Sequence, residues 1–326
     1  MDRGLFCLER RDKMLTEPMD IRKQFPIRKS NKQKEAFRCA VQSYATQQGY
    51  SCQIDSPKKG VNNVIIGDPD RAKFLITAHY DTPAAMLFPN LITPCNPVTF
   101  ILYQIFVVGL YLALSFGVGF GVYFLTKNEM IGFWCGYLLY FAMLALMMFG
   151  PANKNNANDN TSGVVTLLET ARSMPENLRP SVCFVLFDLE EAGLVGSASY
   201  RKARKEVTEN QIVLNLDCVG DGSEIVLFPT KKLKRDTAKM DLLRAACGKA
   251  GSKSITIRDK GFSYYPSDQK NFPFGVGIAA FRRSKWAGLY CSRIHTKKDT
   301  ILDQSNVNIL RAALTTIIGT AANKKG

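Results

Sequence analysis

Apolar positions along this chain follow three regimes: helical spacing, short buried runs, and two long stretches without relief. Behind Ser30 and Gln33, which have the spacing of a capping box, KQKEAFRCAVQSYATQQGY carries apolar residues at helical period and predicts a helix of about four turns. NVIIG and AKFLITAHY predict two strands separated by the turn GDPDR. SVCFVLFDLE and QIVLNLDCVG predict buried strands that run into carboxylates, while TSGVVTLLETARSM and residues 237–249 and 306–321 predict helices. Strands rich in Val, Ile and Leu that alternate with helices predict an α/β fold, a mostly parallel central sheet flanked by helices.

The third regime interrupts that pattern. No Asp, Glu, Lys or Arg occurs from Thr82 to Thr126. Within and beyond this gap, VTFILYQIFVVGLYLALSFGVGFGVYFL (Val98 to Leu125) and IGFWCGYLLYFAMLALMMF (Ile131 to Phe149) are each long enough to cross a bilayer core of roughly 30 Å, which takes about 20 apolar residues. A buried hairpin in a soluble protein is the bland alternative, but a chain of 326 residues has little room to hide two such runs. A two-helix transmembrane hairpin is therefore expected, with helices at about 98–125 and 131–149. Gly117 with Gly121 and Gly132 with Gly136 are small-xxx-small pairs that would let the two backbones approach closely. The connection Thr126 to Met130 is nearly neutral, so the positive-inside tendency turns it outward and leaves the rest facing the cytoplasm.

Charge and cysteine content refine this picture. Forty-three basic residues against 28 acidic give +15, which suits an anionic partner such as a membrane surface, or simply a well-solvated basic face. FRRSKW is the one aromatic–basic cluster and no nucleic-acid-binding motif is present, so no nucleic-acid partner is expected. Nine cysteines stand singly, with no CxxC and an odd total, which argues against a disulfide framework or a thiolate zinc site and for a reducing compartment. MDRGLFCLERRDKMLTEPMDIRKQ is charged throughout and lacks the apolar stretch of a secretory signal. Residues 1–29 are expected to form a peripheral basic arm outside the core.

The chain has two histidines, His79 and His295. With Asp159, Glu191 and Asp217, which follow or end independent predicted elements, they form a nitrogen–oxygen donor set suited to zinc, with manganese or cobalt as alternatives. Each residue alone has a plain structural reading: Asp159 can cap the next helix, Glu191 can lie on the surface, and a single histidine is more often structural. Acidic groups directly after apolar strands are costly to bury unpaired, and their joint occurrence points to a site.

HYD, NDNTSG, EEAGLVGS, LNLD and HTKKDT stand here in the order and character of the co-catalytic zinc aminopeptidases. That family includes bacterial leucyl aminopeptidases, glutamate carboxypeptidase and glutaminyl cyclases, and the resemblance spans roughly residues 30–85 and 150–322. It implies two zinc ions: His79 and Asp217 would hold one, Glu191 and His295 the other, and Asp159 would bridge them. It also implies that Asp81 fixes the His79 imidazole, that Glu190 is the general base, and that Tyr264 steadies the oxyanion. A cis peptide is implied between Asp159 and Asn160, and Gln269 stands where the family often has histidine.

The resulting expectation is a discontinuous catalytic domain, 30–85 with 150–326, into which 86–149 inserts the hairpin. The whole is a multi-pass protein of the cell membrane that removes N-terminal residues from peptides, apolar or membrane-associated ones included. Two rivals remain at this level: a carboxypeptidase or amidohydrolase acting on amino-acid conjugates, and a catalytically silent membrane scaffold of the same fold. The intact Glu190 favours an enzyme, and the complete ligand set favours a dinuclear hydrolase over the mononuclear cyclase variant. Residue preference and oligomeric state leave no signal in the sequence.

Overall fold

The structure, a computed structural model, describes residues 15–86 and 88–323. Its strands are β1 (Cys52–Asp55), β2 (Asn63–Ile66), β3 (Phe74–His79), β4 (Val182–Phe187), β5 (Ile212–Leu216), β6 (Glu224–Pro229), β7 (Gly248–Ala250), β8 (Lys253–Ile257), β9 (Phe274–Ser284) and β10 (Gly288–Tyr290). They form one sheet in the order β1-β2-β4-β3-β5-β9-β6-β8-β7, with β10 paired to β9. The central strands β4, β3, β5 and β9 run parallel, while β1, β2, β6, β7 and β10 enter antiparallel pairs toward the margins. The sheet is thus mixed, and parallel where it carries chemistry.

The helices are α1 (Ile21–Gln24), α2 (Asn31–Gln47), α3 (Pro97–Thr126), α4 (Glu129–Phe149), α5 (Gly163–Ser173), α6 (Val195–Ala203), α7 (Lys205–Thr208), α8 (Lys231–Lys234), α9 (Thr237–Arg244) and α10 (Gln304–Asn323). Alternate side chains of each central strand enter different cores. Ile76, Phe184 and Leu214 join α2, α5, α9 and α10 on one face, and Leu75, Val185 and Val213 meet Tyr200 of α6 and Phe272 on the other. Burial on both faces explains why these strands read as unbroken apolar runs. The capping box forms as expected, with Ser30 Oγ accepting from Gln33 N at 3.3 Å and Gln33 Oε1 accepting from Ser30 N at 2.9 Å.

Several expectations need correction. The described part of the supposed arm packs inward: Leu15, Ile21 and Phe25 are buried in the main core, and Phe25 meets the Phe37 ring edge-on at 5.8 Å. Few apolar residues were needed, because Ile21 and Phe25 lie one turn apart and face the same way; residues 1–14 of the expected arm lie outside the described residues. The helix expected over 237–249 stops at Arg244, and Gly248–Ala250 pairs with β8 across a turn in which Gly251 has φ +62°. One cysteine, Cys39, is disulfide-bonded, whereas the other described cysteines, such as Cys52, Cys183 and Cys218, are free.

The inserted run forms an antiparallel pair, α3 and α4, long and apolar enough to cross a membrane and lined by exposed Leu, Ile, Val and Phe side chains. Its close contact is not the one the glycine spacing suggested on α3. A Cβ on Gly132 would stand 2.7 Å from the Gly119 carbonyl oxygen, and one on Gly136 would stand 2.6 Å from that of Ser115. Gly117 and Gly121 face away, and a Cβ on either would meet nothing within 4 Å. Ser115 and Gly119 belong to the helix face that meets α4, whereas Gly117 and Gly121 are rotated off it.

Candidate metal centre

The carboxyl ends of the parallel strands set the site. β3 ends in His79, Glu190 and Glu191 lie in the loop that follows β4, and Asp217 is the first residue after β5. Asp159 precedes α5 from an irregular turn, and His295 lies between β10 and α10. Crevices outside the carboxyl ends of such strands are where open α/β sheets place ligands.

All five expected metal-binding side chains converge. His79 Nε2 lies 3.2 Å from Asp159 Oδ1 and 3.7 Å from Asp217 Oδ1. His295 Nε2 lies 3.0 Å from Asp159 Oδ2 and 3.6 Å from Glu191 Oε2. Asp159 therefore offers one oxygen to each histidine. Ligand atoms of His79, Asp159 and Asp217, of Asp159, Glu191 and His295, and of His79, Glu190 and Glu191 lie within 4.8 Å of one another, close enough for each group to hold an ion.

The surrounding backbone is heavily constrained. Asp81 faces His79 Nδ1 at 3.4 Å, without the alignment of a hydrogen bond, and its two oxygens accept the amides of Glu190 (3.1 Å) and Glu191 (3.2 Å). Asp299 accepts the amides of Asn158 (2.7 Å) and Asp159 (3.0 Å). Asn160 joins the ends of β3 and β5, donating to the carbonyls of His79 and Leu216 while accepting from Gly163 N and Cys218 N. The Asp159–Asn160 peptide is cis. Leu189, Cys218 and His295 hold positive φ without being glycine, a conformation that costs roughly 1–3 kcal/mol each and collects at functional sites.

Electrostatics single out the same place. Burial acts to lower the His79 pKa, but Glu190, Asp159, Asp217 and Asp81 outweigh it and hold the imidazole well above its ordinary value. Burial, together with neighbouring carboxylates, pushes Glu190 and Glu191 well above the usual carboxylate range, against the pull of His79. Asp159 is held below that range: burial opposes this, and the His295 and His79 imidazoles overcome it. Carboxylates outnumber imidazoles, and Glu191 Oε1 is buried without a hydrogen-bond partner. Divalent cations would neutralise that surplus, so the donor set fits metal.

Sequence reading passed over several supports. Arg28, fully buried, donates through Nε to the Tyr80 carbonyl at 2.5 Å, through one terminal nitrogen to the Phe25 carbonyl at 2.8 Å and through the other to Thr161 Oγ1 at 3.2 Å. Burial lowers its pKa to about 10, against the opposing charges of Asp81 and Asp159. Lys34 pairs with buried Asp188 at 2.7 Å just before the Glu190 loop. Asn158, Asn160 and Asp299 fall inside the recognised NDNTSG and HTKKDT blocks, a signal that could have found them; Arg28, inside a charged segment, gave none. Gln269 accepts from Asn215 Nδ2 at 3.2 Å and donates to the Tyr265 carbonyl at 2.6 Å, bracing the strands. Tyr264 stands on the rim, 45% exposed, its ring 6.0 Å from Phe100, whereas the hydroxyl of Tyr265 reaches the Asp217 carbonyl at 3.1 Å.

Histidine and carboxylate donors converge at the carboxyl ends of the parallel strands, an arrangement of the metal-binding class. Residues 145–319 match the model of peptidase family M28, and the chain belongs to that family, whose members are zinc-dependent. The fold is similar to that of the glutaminyl cyclase of Porphyromonas gingivalis (15% identity, 94% of this chain and 96% of that one, TM-score 0.61). It is also similar to the LapA aminopeptidase of Legionella pneumophila (13% identity, 98% and 72%, TM-score 0.53) and the glutaminyl cyclase of Macrostomum lignano (13% identity, 99% and 94%, TM-score 0.56). No curated protein matches.

Proposed function

We propose that this M28 chain is a membrane-anchored, dinuclear zinc aminopeptidase. The observation that carries the reading is the division of Asp159, one oxygen toward His79 and the other toward His295. In this reading His79 and Asp217 would hold one zinc and Glu191 and His295 the other, with Asp159 shared between them. Bound zinc supplies Lewis acidity and eases the deprotonation of water. Glu190 would take a proton from the attacking water and return it to the leaving amine, a role supported by its place in the loop after β4 beside the ligand set. Asp81 orients His79 and, through the amides of Glu190 and Glu191, holds the base in place. Tyr264 is assigned to the oxyanion on resemblance alone, and a fall in kcat without loss of metal in Tyr264→Phe is its check.

The catalytic domain in this proposal is discontinuous, 30–85 with 150–326, and residues 15–29 are counted with it because their apolar side chains share its core. The 86–149 insertion anchors it, with both hairpin ends on the catalytic side. A cytoplasmic side follows from the basic surplus; the disulfide at Cys39 is uncommon in reducing compartments, and protease shaving of oriented vesicles decides between the sides.

A peptide-library digest with the detergent-purified chain tests the activity. Release of N-terminal residues from free but not blocked peptides is expected, with two metals per chain. Cleavage of blocked peptides instead would establish a different amide hydrolase, and no hydrolysis with metal bound would establish a scaffold. The near-complete mutual coverage with the P. gingivalis glutaminyl cyclase favours one second reading, glutaminyl cyclase activity; loss of ammonia from peptides beginning in glutamine would reveal it.

A further inference from the structure

Three exposed aromatic side chains gather where α3 leaves the catalytic domain. Trp286 is 92% exposed at the tip of the β9–β10 turn, Phe262 is 54% exposed, and Tyr264 packs on Phe100 in the first turn of α3. The Trp286 carbonyl accepts from Asn96 Nδ2 at 3.4 Å, and Asn96 caps α3 through Thr99 N at 3.1 Å. Ser284 Oγ accepts the Trp286 amide at 3.2 Å, and Gly288, at φ +68°, closes the turn, so the indole is presented on a built hairpin. The Lys270 ammonium lies 5.8 Å from the Tyr264 ring centre, Lys260 and Lys285 stand two residues before Phe262 and one before Trp286 in the chain, and among the described residues none of the three lysines has an ion-pair partner.

Helix lengths place this cluster relative to a bilayer. α4 has 21 residues, about 32 Å, which matches a hydrocarbon core of roughly 30 Å; α3 has 30, about 45 Å. The contacts of Gly132 with Gly119 and of Gly136 with Ser115 bring Phe149 level with Leu102. Pro97 to Ile101 then stand about 7 Å beyond the end of α4, at the depth of the headgroup layer. Phe100 and Asn96, and with them Tyr264 and Trp286, lie at that level. Amphipathic aromatic rings and lysines are the side chains that favour it.

We infer that the rim formed by Phe262, Tyr264 and Trp286, with Lys260, Lys270 and Lys285, rests in the anionic headgroup layer of the membrane that α3 and α4 cross. This rests on the membrane-spanning reading of the hairpin. The rim adjoins the metal centre through Tyr265, whose hydroxyl meets the Asp217 carbonyl, so the side of the site next to it faces the lipid surface. A peptide lying on the bilayer then reaches the site without passing through bulk water.

The chain has two tryptophans, Trp134 in α4 and Trp286, so each can be observed alone. The full chain is placed in nanodiscs of neutral or anionic lipid, with and without bromine high on the acyl chains. In Trp134→Phe, Trp286 fluorescence should be quenched by brominated lipid and shielded from acrylamide, more so in anionic discs, and Lys285→Glu should weaken both effects. Trp286→Phe reports Trp134 as the control. Quenching of Trp134 while Trp286 stays open to acrylamide overturns the inference, as does shielding of Trp286 without bromine quenching, which would mean that protein covers it. If Trp134 is not quenched either, the spanning reading itself falls.

Discussion

The backbone amide of Met86 donates to the carbonyl of His295 at 2.7 Å, so the first residues of the inserted segment are tied directly to a histidine of the candidate metal centre. Two residues on, the Phe88 ring lies 6.4 Å from that of Tyr111 in α3. The path from site to hairpin is therefore a few residues long.

Replacement of residues 98–149 by a short polar loop should leave this contact, and with it hydrolysis of short soluble peptides. Activity on bilayer-held peptides should fall by roughly 10²-fold, the order expected when colocalisation no longer raises effective concentration. Initial rates on both substrate types, measured with vesicles present, provide the comparison; equal retention of both would remove any role of the hairpin in delivery.

Glu190→Gln should lower kcat by about 10²–10⁴-fold with metal content unchanged, because it removes the proton carrier while keeping shape. Asp81→Asn should act differently, costing about 10–100-fold in metal affinity or activity through the loosened His79 and the released Glu190 and Glu191 amides. Metal analysis beside single-turnover rates separates the two.

Burial raises the Asp268 carboxyl to about 7, against the pull of His79 and the Ser197 hydrogen bond. Unfolded, the group titrates at about 3.9. Its contribution to stability is therefore fully present below about pH 4 and lost as pH rises through about 7, since over that window the unfolded chain releases a proton that the native one keeps. Denaturation midpoints of the metal-stripped protein should fall across that window, and less steeply in Asp268→Asn. An unchanged slope in Asp268→Asn would assign the effect elsewhere.

Gly136→Ile should cost about 1–3 kcal/mol by overpacking against the Ser115 carbonyl, whereas Gly117→Ile, with open space around it, should be close to neutral. Thermal stability of the two variants in one detergent checks the contact; the reverse order would mean that the helices meet through the other face.

Much of this site was legible because its chemistry is local to strand ends. His79, Asp217 and the Glu190–Glu191 pair stand at or just beyond the ends of apolar runs, where a polar group needs a partner; Asp188, which finds Lys34, shows that the partner can also be structural. Arg28 left no such mark: in a segment dense with Lys and Arg, nothing local distinguishes the one guanidinium that folds beneath Asp81 and Asp159. The choice of Ser115 and Gly119 over Gly117 and Gly121 was equally hidden, because a helix with small residues on two faces does not reveal which one a neighbour will cover.

By itself the sequence determined the alternation of strands and helices, the two long apolar helices and the residue types of the candidate metal centre, since hydrophobic period and donor chemistry are properties of short stretches. Only the tertiary structure decided that the sheet is parallel at its centre and mixed toward its margins, that Leu15, Ile21 and Phe25 belong to the core, and that Asp159 divides its oxygens between two histidines far apart in the chain. Those outcomes depend on which distant segments share a surface, and burial, pairing and electrostatic partnership are settled only when the chain has closed on itself.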